Sequence, residues 1–554
     1  MKKSFIWAFA ALAFAACSNP DMNGNDAPVH SGEIEESYIA INLSASDITR
    51  ADAAVFEDGT EAERAAHHAD FFFFDGDGNA FPVTLTDGTV TSPGVAGGVN
   101  HLHAATINFT EDSNTGDDIS DSSAAVLLLK TYKGEYPSQI VAVLNWSPDP
   151  NTAYSLNDLK TAVDLYGTAG AANHFIMSNA VYAQGTTEVY ATPLTIDNIK
   201  SSETEANANP VTIYVERVAA KVSVKFNVNA KYDLSKTYIP TDGTAAANVY
   251  AEILGWDLYR DNAQSYLLKD IDGTWTDDYI GFPWNNSPWY RSYWATSMPA
   301  PTNDKVYGDS PFEAPFTVDA AAYIGENTTG APTNTKVVIK AKLVNAAGNA
   351  VEIAHWNNVQ YVGNEALRTA VANTLKNTYY AFDGANTYTG LEPDDLMCVA
   401  GGTDGAPAGV EANEVYFQLS DTGDDKNWYK LVNGKFEPVA TNINIGADPN
   451  SINAMNAALK GVASAVLYTE GETFYYVDIK HLGAPESVAE FGIVRNHAYN
   501  ITINSIKGYG SPVYTGTKFV DYPSTPDQNT FVSAKINILS WRLVNQSVDI
   551  QPAN

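Results

Sequence analysis

Apolar residues in this chain recur at every second position in short runs, and clusters of Gly, Asn, Asp and Thr break each run before it grows long. A period of two turns alternate side chains to opposite faces of a strand, so a chain written this way must build sheets. Tyr38-Ile39-Ala40-Ile41-Asn42-Leu43 puts Ile39, Ile41 and Leu43 on one face. Phe71 to Phe74 is a short buried-strand candidate closed by the turn Asp75-Gly76-Asp77-Gly78-Asn79. Val126-Leu127-Leu128-Leu129 and Ile140-Val141-Ala142-Val143-Leu144 flank the turn-prone Lys133-Gly134-Glu135, and Val211 to Phe226 is a longer alternating stretch. Later, Trp428 to Leu431 and Lys435-Phe436 flank Asn433-Gly434, a strong hairpin signal. Phe474 to Ile479 is aromatic and β-branched, as strands prefer.

Helical signals are few. Ser155 with Asp158 forms a capping-box pattern, and Leu156, Leu159 and Val163 share a helical face. Leu367, Val371 and Leu375 make a second stripe, and Ile452, Met455 and Leu459 a third; all three read as core packing. With 554 residues the chain exceeds what one hydrophobic core serves. The expectation is a mainly β protein of two tandem β-sandwich domains with a few short helices, residues 38–228 and 229–554, divided near the Asn/Asp/Thr-rich stretch 229–247.

The N-terminus reads as an address. Lys2 and Lys3 precede the apolar run Phe5 to Ala16, which is too short to span a bilayer and ends at Ala15-Ala16-Cys17. That junction is the pattern of a lipoprotein signal, so residues 1–17 are expected to deliver a chain lipidated at Cys17 to the outer membrane. Residues 18–37 are polar and read as a flexible tether.

Composition excludes several function classes. Sixty-five acidic residues against 32 basic ones give a net charge of −33, which repels a phosphate backbone and argues against nucleic-acid binding. Cys17 and Cys398 are the two cysteines, too few for a disulfide framework or a cysteine zinc site. No nucleophile elbow, zinc-protease helix, phosphate loop or dinucleotide fingerprint occurs, so no catalytic residue is nominated and no cofactor is expected. His101 and His103 would share a strand face, but a third ligand is not evident. Asp75 to Asn79 imitates the start of a calcium loop, yet Ala80 and Thr86 stand where Gly and Glu are required. Asp117, Asp118 and Asp121 read as a solvated loop. Phe282-Pro283-Trp284, Trp289-Tyr290 and Trp294 could stack on sugars, which keeps a glycan-binding surface lipoprotein as an alternative.

Several stretches together resemble one family. Pro210 to Val222, Tyr290-Arg291-Ser292-Tyr293-Trp294-Ala295, Glu326-Asn327-Thr328, Tyr475 to Leu482, Val494-Arg495-Asn496-His497, Ile536 to Trp541 and Val548-Asp549-Ile550 follow the order of the Bacteroidales fimbrillins. The set resembles the Mfa-type major fimbria subunits, related to FimA-type fimbrillins. The resemblance implies two transthyretin-like sandwiches, trimming by an arginine-specific surface protease, and polymerisation into a type V pilus by donor-strand exchange. It also implies accessory fimbrial subunits as partners, a role in adhesion and biofilm formation, and a membrane contact made only through the precursor's lipid.

In these residues the scheme places the cut between Arg50 and Ala51, with Arg64 as the alternative, in a polar loop open to a protease. The cut would remove strand 38–44 with Ile39, Ile41 and Leu43. Three basic and six acidic residues leave with it, bringing −33 to −30. The donor is expected in 531–554, through Ile536, Ile538, Trp541, Leu543, Val548 and Ile550. A shaft subunit of this kind is a homopolymer and not an enzyme; a tip or anchor subunit of the same pilus is the nearest alternative.

Overall fold

The computed structural model describes residues 34–44, 63, 65–85, 98–104, 122–165, 175–184, 187–227, 231–234, 248–260, 262, 264–271, 295–297, 321–329, 333–382, 384–385, 387–441, 448–481, 490–512, 531–539, 542–543 and 546–547. The fold is mainly β with a few short helices. Among the described residues no helix is long and apolar enough to cross a membrane.

The first sheet runs His101–Ala104, Ala69–Phe74, Gln139–Leu144, Met177–Asn179, Val211–Arg217, Ile34–Ser44, Ser122–Tyr132, with Thr192–Pro193 paired to the side. Ala69–Phe74 shows why its sequence is a continuous apolar run rather than an alternating one. Phe71 and Phe73 enter the core of this sheet, while Phe72 and Phe74 enter a second core on its other face, so both sides need apolar groups. The following turn is held by the Asp75 carboxylate, which accepts from Asp77 N and Asn79 N, each at 2.9 Å. Gly78 supplies the positive φ of +82° that a side chain would resist. The calcium-like loop is thus a turn closed on itself.

The chain changes sheet at Val218-Ala219. Ala220–Phe226 pairs antiparallel with Ala321–Ile324 and parallel with His497–Lys507. Residues 220–226, assigned by sequence to the first half, pair instead with strands of the second. One alternating stretch feeds two sheets, and nothing in its period marks the crossing. In the second half this sheet continues from His497–Lys507 to Phe531–Leu539 and Gln546–Ser547. A facing sheet runs Lys231–Asp233, Tyr250–Tyr259, Lys336–Val344, Glu472–Asp478. Val222, Val224, Tyr499, Ile501 and Ile503 from one sheet meet Val337, Ile339, Tyr475 and Val477 from the other in one core.

Sequence reading missed a third body. Lys336–Val344 and Glu472–Asp478 are direct antiparallel neighbours, Lys336 opposite Asp478 and Lys342 opposite Glu472. Between them the chain builds two more sheets, helices Asn364–Leu375 and Pro449–Leu459, and a core of its own around Trp428, Leu367, Phe417 and Met455. The second and third apolar stripes are its helices. The Asn433-Gly434 turn joins Asn427–Val432 to Lys435–Pro438 in the same body, with both residues at positive φ. The first stripe ends earlier than expected: the capped helix stops at Thr161, and Val163 begins a strand. Cys398 lies half-buried against this third core, where burial pushes its thiol up to about 11.

Candidate functional site

The opening strand, Ile34–Ser44, is internal to its sheet. All 11 residues pair antiparallel with Ser122–Tyr132, from Ile34 opposite Tyr132 to Ser44 opposite Ser122. On its other side Ile41 to Ser44 pair parallel with Val211 to Tyr214. Earlier on that side, Tyr38 N donates to Lys200 O at 2.7 Å and Lys200 N to Tyr38 O at 2.9 Å. Ile39 and Ile41 are fully buried against Phe71, Leu127, Leu129, Ile140 and Ile213. Burying two such side chains stabilises the sheet by about 3–6 kcal/mol. Leu43 lies in the same strand, its backbone opposite Ser123 and Ile213. The Lys130–Glu36 ion pair at 3.0 Å is exposed and adds little.

Ser122–Tyr132 depends on this strand for its place. Its only other described backbone bonds to the sheet's surroundings are at Lys130, which donates to Val83 O at 2.8 Å and accepts from Leu85 N at 3.1 Å. Extracting Ile34–Ser44 would therefore expose two rows of backbone groups and an apolar floor, a costly vacancy.

The tail is held differently. Phe531–Leu539 pairs antiparallel with His497–Lys507 in the second half, with Ile536 opposite Ile501 and Ile538 opposite Tyr499. Arg542-Leu543 touches the same sheet at His497, and Gln546–Ser547 lies beyond the tail strand. Opening strand and tail thus belong to separate sheets. Cys17, Arg50, Ala51, Arg64, Trp541, Val548 and Ile550 lie outside the described residues, as do Asp117, Asp118, Asp121 and the aromatic group from Phe282 to Trp294.

Where the chain crosses between its halves, the structure assembles a buried polar cluster that sequence reasoning did not foresee. Lys269 Nζ bonds Glu216 Oε2 at 2.9 Å, both fully buried. Arg495 Nη2 bonds Glu326 Oε2 at 2.6 Å and Tyr266 O at 2.7 Å. Burial pushes the Glu216 carboxyl up, opposed by Lys269 and Arg495. Burial also works against the Arg495 charge, but Glu326 overcomes it and holds the guanidinium above its ordinary pKa. Asn327 donates to Arg260 O, Thr333 O and Thr335 Oγ1. Asn496 adopts a left-handed φ of +53° and accepts from Arg217 Nη1 at 3.2 Å. A Cβ on Gly325 would stand 2.5 Å from Gln264 O. Glu326-Asn327-Thr328 and Val494 to His497 were legible as motifs, and their partnership here gives them a physical reason.

His101 and His103 are each engaged by local partners. His103 Nδ1 bonds the Asp70 carboxylate at 3.2 Å, while His101 packs on Phe72 and Tyr154, where burial lowers its pKa. Burial raises the Asp70 pKa, opposed by His103. Among the described residues no group of three or more His, Cys, Asp or Glu side chains is placed to hold a metal ion.

Residues 466–547 match the family of the major fimbrial subunit protein type IV, fimbrillin, C-terminal. The C-terminal region of the chain is thus similar to that of the fimbrillins. That region starts as the chain returns from the third body and takes in Glu472–Asp478, His497–Lys507 and Phe531–Leu539. It contains three of the stretches that carried the resemblance, at Tyr475, Val494 and Ile536. Comparison with curated proteins gave no match. Among solved structures the chain is similar to the tip fimbrial protein Mfa3 from Porphyromonas gingivalis with C-terminal truncation, at 12% identity and TM-score 0.29, over 91% of this chain and 99% of that one. It is also similar to a fimbrial assembly protein from Parabacteroides distasonis, at 11% identity and TM-score 0.29, over 56% of this chain and 83% of that one. Overlaps this loose assign neither a sheet arrangement nor a role.

Proposed function

We propose that this chain is a fimbrillin, the shaft subunit of a type V pilus, exported as a lipoprotein through Cys17 and trimmed after Arg50 by an arginine-specific surface protease. It then polymerises by donor-strand exchange, and supports adhesion and biofilm formation at the cell surface. The observation that supports this reading is the internal position of Ile34–Ser44, the first described strand: its loss leaves a slot between two remaining strands.

The occupant is the tail of a neighbouring subunit. Ile536-Asn537-Ile538 repeats the Ile-Asn-aliphatic order of Ile41-Asn42-Leu43, so Ile536 and Ile538 would take the places of Ile41 and Leu43. Trp541, Leu543, Val548 and Ile550 extend the insertion. The incoming strand runs antiparallel to Ser122–Tyr132 and parallel to Val211–Arg217, as the outgoing one does. To be given away, Phe531–Leu539 must first leave His497–Lys507. Its ladder there is exchanged for a ladder in the neighbour, and four or five apolar side chains contribute very roughly 6–15 kcal/mol before ordering costs. Repulsion between acidic surfaces, screened over about 8 Å, is smaller.

N-terminal sequencing of surface fibres, with Arg50→Ala beside the unaltered chain, tests the scheme. Fibre subunits should begin at Ala51, and the variant should remain as lipidated monomer. Filaments whose subunits still contain residues 34–44 in their own first sheet would defeat it.

A further inference from the structure

Glu63 comes from the connection between the opening strand and the rest of the first sheet, yet it is only 1% exposed. Its carboxylate takes Lys221 Nζ at 2.6 Å and the Tyr323 hydroxyl, and its backbone carbonyl accepts from Arg217 Nε at 2.6 Å. Arg217 ends the last strand before the crossing, and Lys221 and Tyr323 stand opposite each other in the sheet after it. One acidic residue from this connection therefore touches both halves where the chain passes between them. The residues that follow are fastened too. Asn145 Nδ2 donates to Ala65 O at 2.9 Å, Asn145 Oδ1 accepts from His67 N at 2.8 Å, and Ala66 is packed into the first core.

We infer that Glu63 and residues 65–68 form a latch, with Glu63 as its bolt, that protects the 64–65 bond between them from proteolysis and marks how far N-terminal trimming can go. Proteases act on exposed, loosely held backbone, and a bond flanked by buried, hydrogen-bonded residues must first open locally. Cutting after Arg64 would carry Glu63 away, and with it the carboxylate that Lys221 and Tyr323 share and the carbonyl that Arg217 uses, so the folded chain resists the cut by the stability of these contacts. Cutting after Arg50 leaves the bolt in place. The latch then holds the new N-terminal segment at the crossing and keeps it from peeling back to Ala69–Phe74. This last role rests on the trimming reading above; protection of the 64–65 bond does not.

The test is limited digestion of the folded full-length chain with an arginine-specific endoprotease, the products identified by N-terminal sequencing. The unaltered chain should yield a product beginning at Ala51 and essentially none beginning at Ala65. Glu63→Gln should raise cleavage after Arg64 roughly tenfold, and Tyr323→Phe should raise it less. Cleavage after the buried Arg495 serves as the control, since it rises only when the whole fold opens. A product beginning at Ala65 formed as fast as the one at Ala51, or a Glu63→Gln chain as resistant as the original, overturns the latch. Polymerisation is not read in this assay, so failure of strand exchange and failure of the latch give different results.

Discussion

The opening strand and the tail strand are both terminal, of similar length, and written in the same alternating code, yet their places differ. Ile34–Ser44 has a full-length neighbour on one side and Val211–Arg217 on the other. Among the described residues, Phe531–Leu539 has one full-length neighbour, and on its other side the two-residue strand Gln546–Ser547. Losing the first divides a sheet, whereas losing the second shortens one. A strand that can leave cheaply suits a donor, and a strand whose departure leaves a costly slot suits a place to receive one. The asymmetry comes from position in the sheet, since both strands carry equally good sequence.

This contrast can be broken at three levels. The largest effect belongs to Ile39→Ala combined with Ile41→Ala, which should cost the first sheet about 4–10 kcal/mol, less any coupling between the two neighbours. Urea unfolding followed by hydrogen exchange in Ser122–Tyr132 measures it, and a loss under 2 kcal/mol would mean that the strand is not a structural member. Lys130→Ala removes only the exposed pair with Glu36 and should cost about 0.2–1 kcal/mol in the same assay. A larger cost would show that charge, rather than apolar burial and the ladder, retains the strand. The smallest effect on the first sheet is expected from deleting 531–554. Its unfolding midpoint should move by no more than about 0.5 kcal/mol equivalent, because separate sheets without shared partners behave additively. A first sheet that collapses on that deletion would show the tail already contributing to it.

Much of this was legible beforehand. The strands around Ile39 and Tyr475 were readable because a half-buried strand imposes its period directly on the chain, and those around Phe71 and Ile140 because a strand buried on both faces becomes a short continuous apolar run. The capping box at Ser155 and the Asn433-Gly434 turn were readable because local hydrogen bonding and positive φ restrict residue choice within a few positions. The third body was not, since its helices and strands use the same local grammar as the remainder. Only the direct pairing of Lys336–Val344 with Glu472–Asp478 reveals that what lies between them is an excursion.

Sequence alone determined that this chain builds sheets, that its two ends carry similar alternating strand patterns, and that its C-terminal region is similar to that of the fimbrillins. Tertiary structure decided which terminal strand is internal and which lies near an edge, where the chain crosses from one half to the other, and that Glu63, Glu216, Lys269, Glu326 and Arg495 are buried at that crossing. The division follows from range. Periodicity and turn chemistry act over a few residues, whereas the neighbours of a strand, and the partner of a buried charge, are set by segments up to hundreds of residues away. Arg217 and Asn496 meet across 279 positions of chain, a separation that no local pattern records.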